Sequence, residues 1–252
     1  MKSVILCEGQ DDLWFIAYYL HKTAGWVVAN EPAEKWTNYK ISPLNSRQHV
    51  NYLKKDNDSA AIWCAGGKDS FERPVSILFD KFIKEFPFDP IDSVVIVRDR
   101  DNDAEQDILS EMSTWFPDQP RLENKRQSIW EDNIDGYPVS VRITPVVIPF
   151  FEEGAIETLL MNAVREKGAA EEFIVSSANA YIDTLTREPK VTAEYLSHGR
   201  LVLKARYAAV IAAKNPEHST GLFQDMVMDC PWEKSSYVKE HFDIIAGAIH
   251  HQ

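Results

Sequence analysis

The run SVVIV, Ser93–Val97, opens directly into RDRDND. Its four β-branched residues, Val94 to Val97, have the stiffness of a strand buried on both faces. Lys2–Cys7 (KSVILC) and Ser59–Cys64 (SAAIWC) are runs of the same kind. Each is followed by a stretch with helical spacing. Leu13, Phe15, Ile16, Tyr19 and Leu20 mark a helix over 11–22, closed by Gly25. Phe71, Val75, Leu78, Phe79, Phe82 and Phe86 mark another over 70–86, stopped by Pro87 and Pro90. A third is expected over 104–116. Short buried strands alternating with helices predict a mostly parallel α/β sheet, because parallel neighbours need crossover connections.

Further on, SIWEDNIDGYPVSVRITPVVIP reads as a hairpin. Asp135-Gly136 supplies a two-residue turn between two strand-like runs. A helix is expected over 153–167, then mostly helices to the end. Residues 26–58 are polar and weakly patterned, with a short helix expected near Ser46–Lys54. The fold class is therefore α/β: a Rossmann-like, mostly parallel sheet with an inserted β-hairpin and a C-terminal helical extension. The expected division is 1–167 for the α/β domain and 168–252 for the extension.

Charge narrows the function. Asp and Glu number 39 against 27 Lys and Arg, a net charge of -12. A self-sufficient nucleic-acid binder needs clustered Lys and Arg. This chain acts on nucleic acid only if metal ions or a basic partner supply that charge. Cys7, Cys64 and Cys230 are odd in number and lack metal-ligand spacing. Cys7 and Cys64 read as buried strand residues, which suits a reducing compartment. The first apolar run is too short for a signal peptide or a membrane span. A cytoplasmic protein with no membrane contact is the expectation; oligomeric state is not legible.

Ligand sites in open parallel sheets lie outside the carboxyl ends of the strands. Acids gather at that edge. The first strand ends in Glu8-Gly9 with Asp12 one turn later, the second in Gly66-Gly67-Lys68, and the third in Asp99, Asp101 and Asp103. The last strand leads to Glu153 and Glu157. Singly, each reads as a solvated turn or a helix cap, and Asp103 is either a ligand or the cap of the next helix. Jointly they offer hard oxygen donors of the kind Mg²⁺ and Mn²⁺ take.

CEGQDD resembles the first motif of TOPRIM (topoisomerase–primase) domains, and VVIVRDRD resembles their Asp-x-Asp motif. IPFFEEGAIETLL is similar to the late glutamate-bearing helix of the family's nuclease branch. The resemblance spans roughly residues 1–165. It is nearest to the overcoming-lysogenization-defect nucleases and to small standalone TOPRIM-like proteins of phage-defence loci. It implies a TOPRIM-like sheet and a Mg²⁺- or Mn²⁺-dependent endonuclease that cleaves DNA or RNA. By position, Glu8 matches the first glutamate, Asp12 the following acid, Asp99 and Asp101 the Asp-x-Asp pair, and Glu157 the late glutamate. Lys68 falls near a lysine of some family nucleases.

The implied metal ligands are Glu8, Asp12, Asp99, Asp101, Asp103 and Glu157. The implied catalytic residues are Glu8, Asp99, Asp101 and Lys68, with Glu8 as acid or base and Lys68 facing developing phosphate charge. The Gly66-Gly67 N–H groups are expected to approach a phosphate. AGGKDS is not a Walker loop. The resemblance implies control by a separate protein, an ATPase of the kind fused to some relatives. Arg98 and Arg100 alternate with the aspartates and are expected to pair with them. Arg200, Lys204 and Arg206 read as a solvated helix face or a nucleic-acid track. Two other readings compete: a non-catalytic TOPRIM-like module that binds a partner, and an Asp-x-Asp phosphatase, which leaves Glu8-Gly9 unexplained.

Overall fold

The computed structural model describes residues 1–29, 36, 38, 40–216 and 231–250. Cys230 and His251 lie outside the described residues. The chain forms two compact units, one of Met1–Ile148 with the residues from Phe242 on, the other of Pro149–His241. The division thus falls after Ile148, not near Lys167, and the helix carrying Glu157 groups with the later helices.

The first unit is built on a seven-stranded sheet. Its strands are β1 (Lys2–Cys7), β2 (Val27–Ala29), β3 (His49–Lys55), β4 (Asp58–Cys64), β5 (Ser93–Asp99), β6 (Ser128–Ile134) and β7 (Tyr137–Ile148). Their order is β2-β3-β4-β1-β5-β7-β6. The four central strands β4, β1, β5 and β7 are parallel. Antiparallel partners close both flanks. The sheet is therefore α/β and mixed, with a parallel centre.

The sequence pattern explains this order. Every residue of β1, β4 and β5 is buried, as strands covered on both faces require. The flanking β6 is mostly exposed, with Trp130 buried between the exposed Ile129 and Glu131. Asp135 and Gly136, at φ of 53° and 87°, join β6 to β7 in the left-handed region that a type I′ turn needs. The strand β3 replaces the helix expected near Ser46–Lys54. It pairs with β4 from His49↔Cys64 to Lys55↔Asp58. Its residues lack clear alternation, so the pairing comes from the neighbouring strand and not from a local signal.

Helix α1 (Gln10–Ala24) follows β1 and ends at Gly25 in the left-handed conformation, φ 73°. Helix α2 (Glu72–Ser76) continues as a π-helical segment over Ile77–Ile83. It buries Phe79 edge-on to Phe116 and Trp130, at centroid separations of 5.5 and 5.0 Å. Helix α3 (Glu105–Thr114) follows β5. Phe242 packs against Phe15 at 5.0 Å, and Tyr19 donates to Asp243 at 2.6 Å.

The second unit is helical. It holds α4 (Ile156–Arg165), α5 (Ala169–Leu185), α6 (Pro189–Glu194), α7 (Gly199–Lys214) and the start of α8 (Ser236–Ala248). Glu166 caps α8, accepting from Ser235 Oγ and Ser236 Oγ at 2.5 Å each and from the Tyr237 N–H at 3.1 Å. A carboxylate there satisfies open N–H groups and meets the positive helix end. His241 is buried and stacks on Phe150 at 4.2 Å. Its Nε2 accepts from the Phe150 N–H at 3.0 Å, so Nδ1 carries the proton toward the Tyr237 carbonyl at 2.7 Å. Among the described residues no helix is long and apolar enough to cross a membrane.

Two predictions follow from these turns and caps. Gly136→Val should destabilise the chain by about 1–2 kcal/mol in urea titrations, because a β-branched residue is strained at positive φ. Gly199→Ala, where an added Cβ meets open space, should cost nothing comparable. Burial pushes Glu166 up, but the hydrogen bonds from Ser235, Ser236 and the Tyr237 N–H outweigh it and hold the carboxyl below its usual 4.5. A depressed carboxyl stabilises the native state above that value, and the stabilisation is lost as pH falls through the native pKa. Glu166→Gln should flatten the acid limb of a stability-versus-pH curve; an unchanged limb refutes the cap.

Candidate active site at the carboxyl edge of the sheet

Parallel pairing sets the carboxyl ends of β1, β4 and β5 side by side. Cys7 of β1 pairs with Cys64 of β4 and with Val97 of β5. Residues just beyond those three positions therefore share one edge. Glu8 follows Cys7, the Gly66-Gly67 turn follows Cys64, and Asp99 ends β5. Adjacent strands lie about 4.8 Å apart, so this is a tight gathering.

Three of its carboxylates are deeply buried. Glu8 is 2 %, Asp12 5 % and Asp99 4 % exposed. Asp12 reaches back from the first turn of α1 and accepts from the Gly9 N–H at 2.7 Å. A Cβ at position 9 would lie 3.3 Å from that same carboxylate oxygen, so the glycine gives the chain a close approach there. The three acids act together on the Cys7 thiol. Burial first, then Asp12, Cys64, Asp99 and Glu8 in that order, hold it well above its ordinary value. Burial also lifts the Cys64 thiol, partly opposed by backbone N–H groups of Gly66 and His49. Both cysteines are free and buried, as expected of strand residues.

The other expected residues sit further out. Asp101 is half-buried at φ 50°, in the turn between β5 and α3. Asp103 does not cap α3, whose N-cap is Ala104. It pairs instead with Lys68 Nζ at 3.6 Å, both side chains nearly half exposed. The structure thus joins the loop after β4 to the loop after β5. The Gly66 and Gly67 N–H groups do not face outward to a phosphate. Both donate to the Glu8 carbonyl, at 3.1 and 3.0 Å. Arg98 is buried and pairs with Glu111 of α3 at 2.7 Å, its guanidinium 5.8 Å from the centre of the Trp115 ring. Alternation along β5 points it away from the face of Asp99.

Glu157 belongs to the second unit. It lies in the first turn of α4, 5 % exposed, with Lys204 Nζ at 3.8 Å, while Glu153 is exposed. Arg206 of the same basic stretch pairs with Asp183 at 2.5 Å. That stretch is used at least in part to bind the helices of its own unit.

The donor chemistry suits a hard divalent cation, since buried carboxylates are costly unless a charge compensates them. Among the described residues, however, no three His, Cys, Asp or Glu side chains already stand as a metal cage. The donors share an edge without converging on a point.

Two features of this edge escaped the sequence reading. Gln48, buried, accepts from Trp63 Nε1 and the Leu44 N–H at 3.0 Å and donates to the Ala65 carbonyl at 2.9 Å, fixing the start of the glycine turn. Asn124 pairs with both backbone groups of Val147 and donates to Glu105 at 2.8 Å. Neither has a local signature; both are single polar residues in stretches without pattern.

No protein-family model matches the chain, and no curated protein matches it. Among solved structures, the chain is similar to the crystal structure of hypothetical protein PH0156 from Pyrococcus horikoshii OT3. The two are 17% identical, the match covers 97% of this chain and 99% of that one, and the TM-score is 0.48.

Native Cys7 and Cys64 should resist alkylation at mildly alkaline pH and react once the chain is unfolded in urea, read by peptide mass spectrometry. The unfolded chain loses these protons as pH passes the ordinary value of 9.0. Their contribution to stability is therefore full below that pH and is lost as pH rises toward the higher native values. Labelling of the native thiols would contradict the packing described.

Proposed function

We propose that this chain is a Mg²⁺- or Mn²⁺-dependent nuclease of the TOPRIM type, acting on DNA or RNA. The observation that supports the reading is the burial of Glu8, Asp12 and Asp99 together at the carboxyl edge of adjacent parallel strands. Such a set is costly to fold without a compensating cation, and hard oxygen donors select the ions that this chemistry uses. Divalent ions, when bound, supply the charge that steadies the attacking and leaving oxygens of a phosphodiester.

Glu8, Asp12 and Asp99 would hold the ion, with Asp101 at the half-buried rim. Their side chains must turn toward a common point to do so. Glu8 also takes up or returns the proton of the reacting water. Lys68 offers its ammonium to the phosphate after parting from Asp103, an exposed pair whose separation costs little. Glu157 is the further acid that the family resemblance assigns to the metal site. A separate ATPase partner and a role as a phage-defence effector belong to the same reading.

The test is cleavage of plasmid DNA and of total tRNA with Mn²⁺ or Mg²⁺, beside Asp99→Asn and a chelator. Cutting by the wild type, lost in the variant and with chelator, is the expected result. No cutting and no metal binding by calorimetry would replace the enzyme with a partner-binding module.

A further inference from the structure

We infer that Arg47 is a phosphate-contacting residue at the rim of this edge, positioning a nucleic-acid backbone over the carboxylates. The inference rests on the nuclease reading and adds a residue that the reading does not contain.

Topology places it. β3 runs antiparallel to β4 and begins at His49, opposite Cys64. The segment just before His49 therefore lies at the carboxyl edge, among the strand ends that carry the acids. One sulfur ties the two together: Cys64 Sγ donates to the Glu8 carbonyl at 3.6 Å and to the Arg47 carbonyl at 3.7 Å. The glycine turn packs on the same residue. A Cβ at Gly66 would lie 3.2 Å from Arg47 Cβ. At Gly67 a Cβ would meet open space.

The side chain itself is available. Arg47 is exposed, and its hydrogen bonds among the described residues are made by its backbone, the N–H to Asn45 Oδ1 at 2.9 Å and the carbonyl from Cys64. Two of the other cations along these strand ends already face a carboxylate, and Arg100 is half-buried. Lys68 faces Asp103 and Arg98 is buried against Glu111. A polyanion approaching three buried carboxylates on a chain of charge -12 needs a cation that is not already paired. A guanidinium offers a planar fork that matches phosphate oxygens. The backbone of this segment is anchored, through Gln48 and Cys64, while its charged end is free to meet the ligand.

The experiment measures binding of labelled single-stranded DNA and RNA oligonucleotides by fluorescence anisotropy, with Ca²⁺ as the divalent ion and over a range of salt. Wild type is compared with Arg47→Glu and with Lys54→Glu, an exposed charge reversal near the opposite end of β3. Arg47→Glu should weaken binding about tenfold or more and lower the slope of log affinity against log salt by about one. Lys54→Glu should change neither by that amount. Equal effects of the two variants, or a wild type that binds neither oligonucleotide, would overturn the assignment. Binding that depends on Arg47 without any cleavage would keep the contact and end the nuclease reading. Cleavage and binding that ignore Arg47 would do the reverse.

Discussion

Parallel pairing of β1 with β4 on one side and β5 on the other is the constraint on which this chain's chemistry depends. Parallel strands in register end together. Cys7, Cys64 and Val97 stand in one row, so whatever follows each of them is delivered to one edge. The three strands are buried along their whole length, and burial holds the register. A slip of one residue would break the close packing of side chains on both faces. The acids are held at that edge by the apolar strands beneath them.

That arrangement gathers negative charge in a buried place. Carboxylates at Glu8, Asp12 and Asp99 are buried within reach of two buried thiols. The thiols respond by keeping their protons, and Asp12 by taking the Gly9 N–H. Replacing a thiol with a larger polar group there would ask more of an edge already rich in negative charge. The cysteines are thus better understood as small apolar fillers beneath the acids than as reactive groups.

Periodicity decides which charges meet. Along β5 the side chains alternate, so Arg98 turns away from Asp99, its neighbour in sequence, and finds Glu111 on α3, beside the ring of Trp115. Proximity in the chain suggested an Arg98–Asp99 pair; the pleat forbids it. Lys68 and Asp103 are far apart in sequence and meet because their loops leave the two strands that flank β1. The Gly66-Gly67 turn shows the same logic in the backbone. Its N–H groups close onto the Glu8 carbonyl because a turn packed beside a strand end must satisfy its own donors before any ligand does.

The sequence by itself determined the buried strands, the helices between them, the Asp135-Gly136 hairpin and the run of helices after it. Each is a local pattern of burial or backbone preference, and local patterns survive without knowledge of neighbours. It also named the acids, because Glu8-Gly9 and Asp99-x-Asp101 sit directly at the ends of apolar runs. Tertiary structure alone decided the rest. It turned the weakly patterned His49–Lys55 into a strand by pairing it with β4, divided the chain after Ile148, and matched Lys68 with Asp103. It also brought Arg47 to the rim through Cys64. These outcomes depend on which strand lies beside which, a long-range choice that no window of sequence contains.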